Sequence, residues 1–241
     1  MATQPKSLRG KIWRWVKRIT LYMFLSSLLY IIICRWVMPP ITLTQLGSVL
    51  GGYGLKRDYV SWNEISPNVK WAAMASEDQD FAVHGGFDWV DLSKSLKTDP
   101  KKKNRVRGGG ASTISQQCAK NVFLWQGIGF DRYIRKAPEF YFTKMIEWFW
   151  GKKRILEVYL NTIEMGKGIF GIEAASEAYF HKHAKDLSRT EAAEIIACLP
   201  NPKRFTVVPQ SRFVAWKTQW ILRQMALISD DKDMIKLVKE K

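Results

Sequence analysis

The spacing of hydrophobic positions along the chain predicts a protein built mainly from α-helices. Between residues 66 and 227, apolar or small side chains return every three or four positions, as on one face of a helix. Val69, Ala72, Ala73 and Ser76 form one such face. Alternating patterns typical of strands are few. The predicted helices span residues 66–77, 112–124, 135–150, 152–161, 171–180, 188–199 and 213–227.

Capping residues indicate where several of these helices begin. Ser66 followed by Pro67 is a typical N-cap and first-turn pair. Ser188 and Glu191 have the spacing of a capping box. Ser112 is predicted to cap the helix that follows it.

An apolar run near the N-terminus is long enough to cross a lipid bilayer. Residues 19–34 carry no charge, and the apolar run continues to residue 38, which gives about 20 residues. Six cations and no acidic residue precede it: Lys6, Arg9, Lys11, Arg14, Lys17 and Arg18. This basic flank predicts a cytoplasmic N-terminus and an outward-facing remainder.

Two other interpretations of this run are weaker. A cleaved signal peptide needs a small-residue cleavage site, and residues 34–39 offer none. A buried core helix would not normally be apolar on all sides behind six cations. We therefore expect an uncleaved anchor.

Charge and helix patterns together predict five segments. They are a basic cytoplasmic segment at 1–18, a transmembrane anchor at 19–38, a stalk or short extended pieces at 39–65, a mainly helical domain at 66–228 and a charged tail at 229–241. The net charge of +16 implies an anionic partner. Since the basic run at 94–107 lies on the outer side, it favours anionic lipid or diphosphate over nucleic acid.

The three cysteines indicate little about function. Cys34 lies in the anchor, whereas Cys118 and Cys198 lie in apolar helical patterns, where a free cysteine behaves as a small hydrophobe. An oxidising compartment would allow a disulfide between Cys118 and Cys198. No spacing of Cys and His is typical of zinc, and metal ligands stay unknown.

Glu77 begins the strongest candidate for catalytic chemistry. One Glu, three Asp and one His lie within the 12 residues 77–88, where a helix ends and side chains can face a cleft. Such groups carry acid–base chemistry or bind a cation. Asp78 and Asp80 are more typical of structural carboxylates, and His84 is as consistent with orienting the motif as with transferring protons.

A glycine-rich loop leads into the helix at 112–124. Three glycines at 108–110 allow a ligand to approach the backbone closely. On the helix, one face carries a hydroxyl, two amides and an ammonium group, from Thr113, Gln116, Gln117 and Lys120. A polar stripe of this kind is usually only the solvated side of a helix. The apolar residues at 122–130 fit core filling and contact with lipid equally well.

Five motifs in one order resemble those of the peptidoglycan glycosyltransferases, most closely the monofunctional biosynthetic branch of this lysozyme-like family. The first two are Glu77-Asp78-x-x-Phe81-x-x-His84-x-Gly86-x-Asp88 and Gly110-Ala111-Ser112-Thr113-Ile114-Ser115-Gln116-Gln117 with Lys120-Asn121. The others are Arg135-Lys136-x-x-Glu139, Lys152-x-x-Ile155-Leu156-Glu157-x-Tyr159-Leu160-Asn161 and Gly171-Ile172-x-Ala174-Ala175-x-x-x-Tyr179-Phe180.

Three positions depart from the family pattern. Ala111 and Ser115 replace a glycine and a threonine, and Pro138 stands immediately before Glu139. The K-T-G signature of a transpeptidase is absent, which agrees with the monofunctional branch.

The resemblance implies a fold and an activity. The fold would be mainly α, with a lysozyme-like, two-lobed glycosyltransferase domain behind one transmembrane helix. The activity would be polymerisation of a lipid-linked disaccharide-peptide precursor into peptidoglycan, with release of polyprenyl diphosphate. Glu77 matches the general base of an inverting reaction. Glu139 matches a second carboxylate that assists the leaving group or a cation.

The same resemblance implies substrate contacts, partners and a location. The substrate-binding positions are Ser112, Thr113, Gln116, Gln117, Lys120, Arg135 and Lys136. No cofactor is required that the sequence shows, and a divalent cation such as Mg or Mn stays open. The expected partners are the lipid-linked precursor, the growing glycan strand, the membrane and other cell-wall synthesis or division proteins. The location would be the bacterial inner membrane, with the domain on the periplasmic face.

Two alternatives stay open. A lytic transglycosylase or lysozyme-type hydrolase also combines a helical fold with an essential Glu, but it has no diphosphate to hold. A membrane-tethered scaffold without activity would not need both Glu77 and Glu139.

Overall fold

The structure is a computed structural model that describes residues 8–89, 112–127 and 129–240. It divides into two compact units, one ending at Val37 and the other beginning at Met38. Val90, Leu92 and Leu96, whose spacing hints at one short helix after Asp88, lie outside the described residues, as does the basic run at 94–107.

The first unit contains one long helix, α1 (Leu8–Cys34). Its 27 residues correspond to about 40 Å of helix, and an 18-residue window within it has a mean hydropathy of 1.6. Among the described residues, α1 is the one helix long and apolar enough to cross a membrane. It begins before the expected anchor because the basic residues ahead of position 19 continue the same helix.

The second unit is mainly helical, which confirms the expected fold class. Its helices are α2 (Leu43–Leu50), α3 (Pro67–Glu77), α4 (Ile114–Phe123), α5 (Asp131–Ile134), α6 (Lys136–Phe149), α7 (Gly151–Thr162), α8 (Ile172–Phe180), α9 (Arg189–Ala197), α10 (Arg212–Leu227) and α11 (Lys232–Lys239). Two 3₁₀ turns lie at Trp62–Glu64 and Ala184–Asp186.

A small sheet completes the unit. Its strands are β1 (Lys56–Arg57), β2 (Glu164–Gly166) and β3 (Ile169–Phe170), in the order β1-β3-β2. β3 runs parallel to β1 and antiparallel to β2.

The helices form two groups around the site. Helix α3 packs against α9 and α10, whereas α4 packs against α6 and α7. Ala72 and Ala73 on α3, like Ala192 and Ala193 on α9, are fully buried, and such small side chains let backbones approach closely. Helix α3 packs within the first group through the face that the sequence predicted. The C-terminal end of α3 lies next to the second group.

The capping predictions were largely correct. Ser66 and Ser188 are N-caps whose hydroxyls accept backbone N–H bonds. Pro138 lies in the first turn of α6, the position that a helix tolerates. The cap of α4 is Thr113 rather than Ser112, because Thr113 completes a capping box with Gln116.

The expected stalk contains a helix that the hydrophobic pattern did not reveal. Helix α2 begins with a capping box, and it buries the polar residues Thr44, Gln45 and Ser48. Its apolar side chains are exposed instead: Leu43, Leu46, Val49 and Leu50. A buried polar face and an exposed apolar face are the reverse of the pattern that usually indicates a packed helix. Strand β1, in the same segment, pairs with β3.

The charged tail also contains a helix, α11, which packs against α3 and α7. Asp231 caps it by accepting the N–H groups of Asp233 and Met234. Met234 and Leu237 are buried, and they lie one turn apart. The stretch has four apolar residues, Met234, Ile235, Leu237 and Val238, and this short run among charges was too weak a pattern to predict the helix.

Candidate functional site

The carboxylate of Glu77 is held at both oxygens where α3 ends. Ser76 Oγ donates to Oε1 at 2.8 Å, and Lys217 Nζ donates to the same oxygen at 3.3 Å. Gln117 Nε2 donates to Oε2 at 3.1 Å. The side chain of Glu77 is 11% exposed, so its charge is largely shielded from water. Oε2 has the fewer described donors and is the better placed oxygen to accept a proton.

A buried tyrosine fixes the orientation of the Gln117 amide. Tyr159 is fully buried on α7, and its hydroxyl donates to Gln117 Oε1 at 3.1 Å. Burial, followed by the nearby Glu77 charge, raises the pKa of Tyr159 well above its usual value, so the hydroxyl stays a donor. The amide oxygen therefore faces Tyr159, and its NH₂ group faces Glu77.

Asp78 and His84 connect the end of α3 to the start of α4. The Asp78 oxygens lie 3.0 and 2.9 Å from His84 Nε2, and Oδ2 also accepts the Ile114 N–H at 2.8 Å. His84 Nδ1 accepts the N–H of Gly86 at 3.1 Å, so Nε2 carries the hydrogen that faces Asp78. These contacts give Asp78 the structural role that the sequence favoured, and they agree with the orienting alternative for His84.

Thr113 and Gln116 are occupied by the capping of α4. Thr113 Oγ1 donates to the Gly86 carbonyl at 2.7 Å and accepts the Gln116 N–H at 3.2 Å. Gln116 Oε1 accepts the Thr113 N–H at 3.0 Å. The Ser112 carbonyl lies 3.4 Å from Gln117 Nε2. Part of the polar helix face that was expected to bind substrate is therefore used in hydrogen bonds that cap α4 itself.

The second carboxylate lies between two cations at the start of α6. Lys136 Nζ is 2.6 Å from Glu139 Oε1, and Arg135 Nε is 3.5 Å from Oε2. The side chains of Glu139 and Arg135 are 3% and 9% exposed, whereas that of Lys136 is 54% exposed. Arg135 also donates to the carbonyls of Trp125 and Gln126. Lys136 is thus the cation of this group that an anion can reach most easily.

Lys120 lies in the electrostatic field of both carboxylates. Burial, followed by the positive charge of Arg135, lowers the pKa of its ammonium group. Glu139 and Glu77 act in the opposite direction. Lys120 therefore interacts electrostatically with both Glu77 and Glu139, which lie in different parts of the site.

A cavity of about 710 Å³ adjoins these residues, a size typical of ligand sites. Gln117 and Lys120 line one part of it. Burial raises the pKa of the Glu164 carboxyl, another lining group. The remaining lining residues include Thr44, Ser48, Tyr53, Asn121, Trp125, Gln126, Asn201 and Lys203. A larger cavity of about 930 Å³ lies beside β1 and α8, but none of the candidate site residues lines it.

Several of these positions were missed by the sequence analysis. Asn201 follows a proline, and the segment was interpreted only as the end of a helix. Lys217 lies on α10 among Val214 and Ile221, three and four residues away. A lysine on the buried face of a helix needs a partner, which is the signal that could have identified it.

The sequence left both a metal site and a disulfide open. In the described part of the chain, no group of three or more His, Cys, Asp and Glu side chains could hold a metal ion. Cys118 and Cys198 are buried and are not disulfide-bonded, so the disulfide considered from the sequence does not form.

The fold and the site together define an enzyme. A shielded carboxylate suited to proton transfer lies beside a cavity with cationic groups, on a scaffold of two helix groups. This arrangement suits acid–base chemistry on an anionic substrate.

Comparison with known proteins identifies the family. The transglycosylase family model matches residues 44–226. A biosynthetic peptidoglycan transglycosylase of Bacteroides thetaiotaomicron is 42% identical over 226 residues, which cover 90% of this chain and 88% of the relative. Proteins with the same name are 40% identical in Shewanella oneidensis, covering 92% and 96%, and 50% identical in Escherichia coli, covering 72% and 69%. The chain belongs to the transglycosylase family.

Proposed function

We propose that the protein is a peptidoglycan glycosyltransferase. It joins lipid-linked disaccharide-peptide units into glycan strands and releases polyprenyl diphosphate. The names of its relatives support the reaction class. The observation that carries the proposal is the Glu77 carboxylate, fixed by Gln117, which itself lines the cavity beside Lys120.

In this proposal Glu77 is the general base. Its Oε2 takes the proton from the acceptor sugar hydroxyl, and the acceptor oxygen attacks the anomeric carbon of the donor. The bond between that carbon and the diphosphate oxygen breaks, and the electron pair leaves with the lipid diphosphate. Attack from the opposite side inverts the anomeric centre.

Cationic groups along the cavity and α6 stabilise the departing diphosphate. Lys120 lines the cavity, and Lys136 is the exposed partner of Glu139. Fixed positive charges aimed at developing negative charge are among the strongest catalytic effects. Arg135 contributes its charge from a more buried position, and Glu139 holds both α6 cations in place.

The neutral polar groups have two roles. Gln117 contacts the sugar or phosphate oxygens, because it bonds to Glu77 and lines the cavity. Ser112, whose carbonyl accepts from Gln117, acts beside it. Thr113 and Gln116 contribute to substrate binding mainly by stabilising the first turn of α4. A divalent cation such as Mg or Mn would be carried by the diphosphate itself, next to these residues.

The N-terminal helix anchors the enzyme where its lipid-linked substrate lies. We place α1 in the bacterial inner membrane, with the N-terminus cytoplasmic and the catalytic domain on the periplasmic face. Other cell-wall synthesis or division proteins are candidate partners in that compartment. Anchoring limits the search for a lipid-linked donor and acceptor to the membrane surface.

A gel assay tests this function against its alternatives. Detergent-solubilised full-length protein is incubated with labelled lipid-linked disaccharide-peptide precursor, and the products are separated by length. We expect a ladder of glycan polymers that lysozyme digests. Shortening of preformed glycan without polymer would favour a lytic enzyme, and the absence of both activities would favour a scaffold.

A further inference from the structure

Lys217 is a buried cation that no recognised motif contains. It lies on α10, 140 positions from Glu77 along the chain, and its side chain is only 1% exposed. Its ammonium group donates to Glu77 Oε1 at 3.3 Å. A buried charge persists in a fold when it is paired, and the described partner here is the candidate base.

We propose that Lys217 is the positioning residue that keeps Glu77 working as a base. Its ammonium holds Oε1 together with the Ser76 hydroxyl, which leaves Oε2 to accept the proton of the acceptor hydroxyl. This inference rests on the proposed role of Glu77.

The substrate itself makes such a countercharge necessary. A lipid diphosphate that docks beside Lys120 brings negative charge close to Glu77, and nearby negative charge favours protonation of a carboxylate. A protonated Glu77 no longer accepts the proton of the acceptor. Lys217 opposes this effect strongly because a buried charge is screened little by water or salt.

The other groups that face Glu77 do not replace Lys217. Tyr159 on α7 and Cys198 on α9 interact electrostatically with it. Burial raises the pKa of both, to about 12 for Cys198, so each is neutral near pH 7. Asp78, the next residue, is a further carboxyl group rather than a countercharge. Lys120 on α4 is a cation, but it lines the cavity and is available to the substrate.

Replacing Lys217 by methionine tests the proposal, because methionine keeps the length of the side chain and removes its charge. With full-length protein, we expect kcat to fall by about 10- to 100-fold near neutral pH, with a smaller change in KM. The acidic limb of the kcat profile should move to higher pH. The loss relative to the unmodified enzyme should therefore shrink as pH rises.

A matched control is Lys70→Met. Lys70 is an equally buried lysine on α3, but its ammonium donates to the Trp62 carbonyl and lies over the Trp62 ring. We expect this variant to lower the unfolding temperature, whereas its pH profile should keep the shape of the unmodified enzyme. Lys217→Arg, which retains the charge, should recover part of the kcat lost in Lys217→Met.

Three results would overturn the proposal. One is an unchanged kcat and pH profile in Lys217→Met, and another is a loss that is equal at every pH. The third is a Lys217→Arg variant whose unfolding temperature shows that it is folded, but which is no more active than Lys217→Gln. Comparing these two variants also tests the proposal if Lys217→Met does not fold. Glu77→Gln is measured in parallel. Activity in that variant would refute the proposed role of Glu77 as the base. Inactivity would agree with that role, and the Lys217 variants would then test the role of Lys217 separately.

Discussion

At the residue scale, the proposed chemistry depends on which groups reach the two oxygens of Glu77. Gln117 could be assigned to the site from the sequence because it lies on the polar face of a recognisable helix. Its orientation could not, since this depends on Tyr159, 42 positions away in the chain. For Lys217, helical spacing could have indicated a buried lysine that needs a partner, but it could not have indicated that the partner is Glu77.

Lys120 gives a prediction for alkaline pH. Because burial lowers the pKa of its ammonium group, Lys120 loses its charge at a lower pH than an exposed lysine. Binding of diphosphate should therefore weaken as pH rises through that lowered pKa. In Lys120→Arg the charge persists. We expect the falling alkaline limb of kcat/KM to move to higher pH.

The control for this prediction is Lys232→Arg, at an exposed position on α11. It makes the same chemical change at a residue that does not line the cavity, and its alkaline limb should stay in place. If Lys120→Arg kept the alkaline limb of the unmodified enzyme, Lys120 would not be the titrating contact.

At the element scale, the helices that the sequence predicted are those with an apolar face and a recognisable cap. Helices α3 and α9 have both features. Helix α2 was missed because its buried face is polar, and α11 because its apolar face has few residues. Both depend on tertiary contacts that local patterns do not encode. The cap of α4 was misplaced by one residue because a serine and a threonine are adjacent there.

The capping box of α4 is predicted to matter for activity as well as stability. Thr113→Ala removes the hydroxyl that caps α4 and reaches the Gly86 carbonyl. We expect unfolding to become easier by about 1 kcal/mol. The polymerisation rate should also fall, because the first turn of α4 positions Gln117. Denaturant unfolding and the gel assay at 25 °C measure the two effects.

Ser188→Ala is the matched control because Ser188 caps α9 with the same type of capping box. It should lower stability by a similar amount and leave the polymerisation rate of the folded protein unchanged. Equal losses of activity in both variants would mean that general destabilisation, rather than the position of Gln117, explains the effect.

At the scale of the whole molecule, composition and periodicity were enough to predict a mainly helical domain and an apolar N-terminal helix. The transition at residue 38 follows the end of the apolar run. The extent of the folded unit was underestimated because α2, β1 and α11 lie outside the strongly periodic part of the chain. Local sequence therefore indicated the centre of the domain better than its ends.

The proposed orientation in the membrane gives a prediction at this scale. The cations on the N-terminal side of α1 should keep that end in the cytoplasm. A protease added outside intact spheroplasts should digest the chain beyond residue 40 and leave an N-terminal tag protected. Loss of the tag before lysis, with the domain protected, would show the opposite orientation.

The central claim, that Glu77 is the base, is tested most directly by the polymerisation rate of Glu77→Gln. Glutamine preserves the size of the side chain but cannot take up the acceptor proton. Glu177→Gln, at an exposed position on α8, makes the same change away from the site. We expect at least a 100-fold loss in Glu77→Gln, about the lower limit of what general-base catalysis contributes, and none in Glu177→Gln. A folded Glu77→Gln variant that made polymer at the unmodified rate would contradict the account.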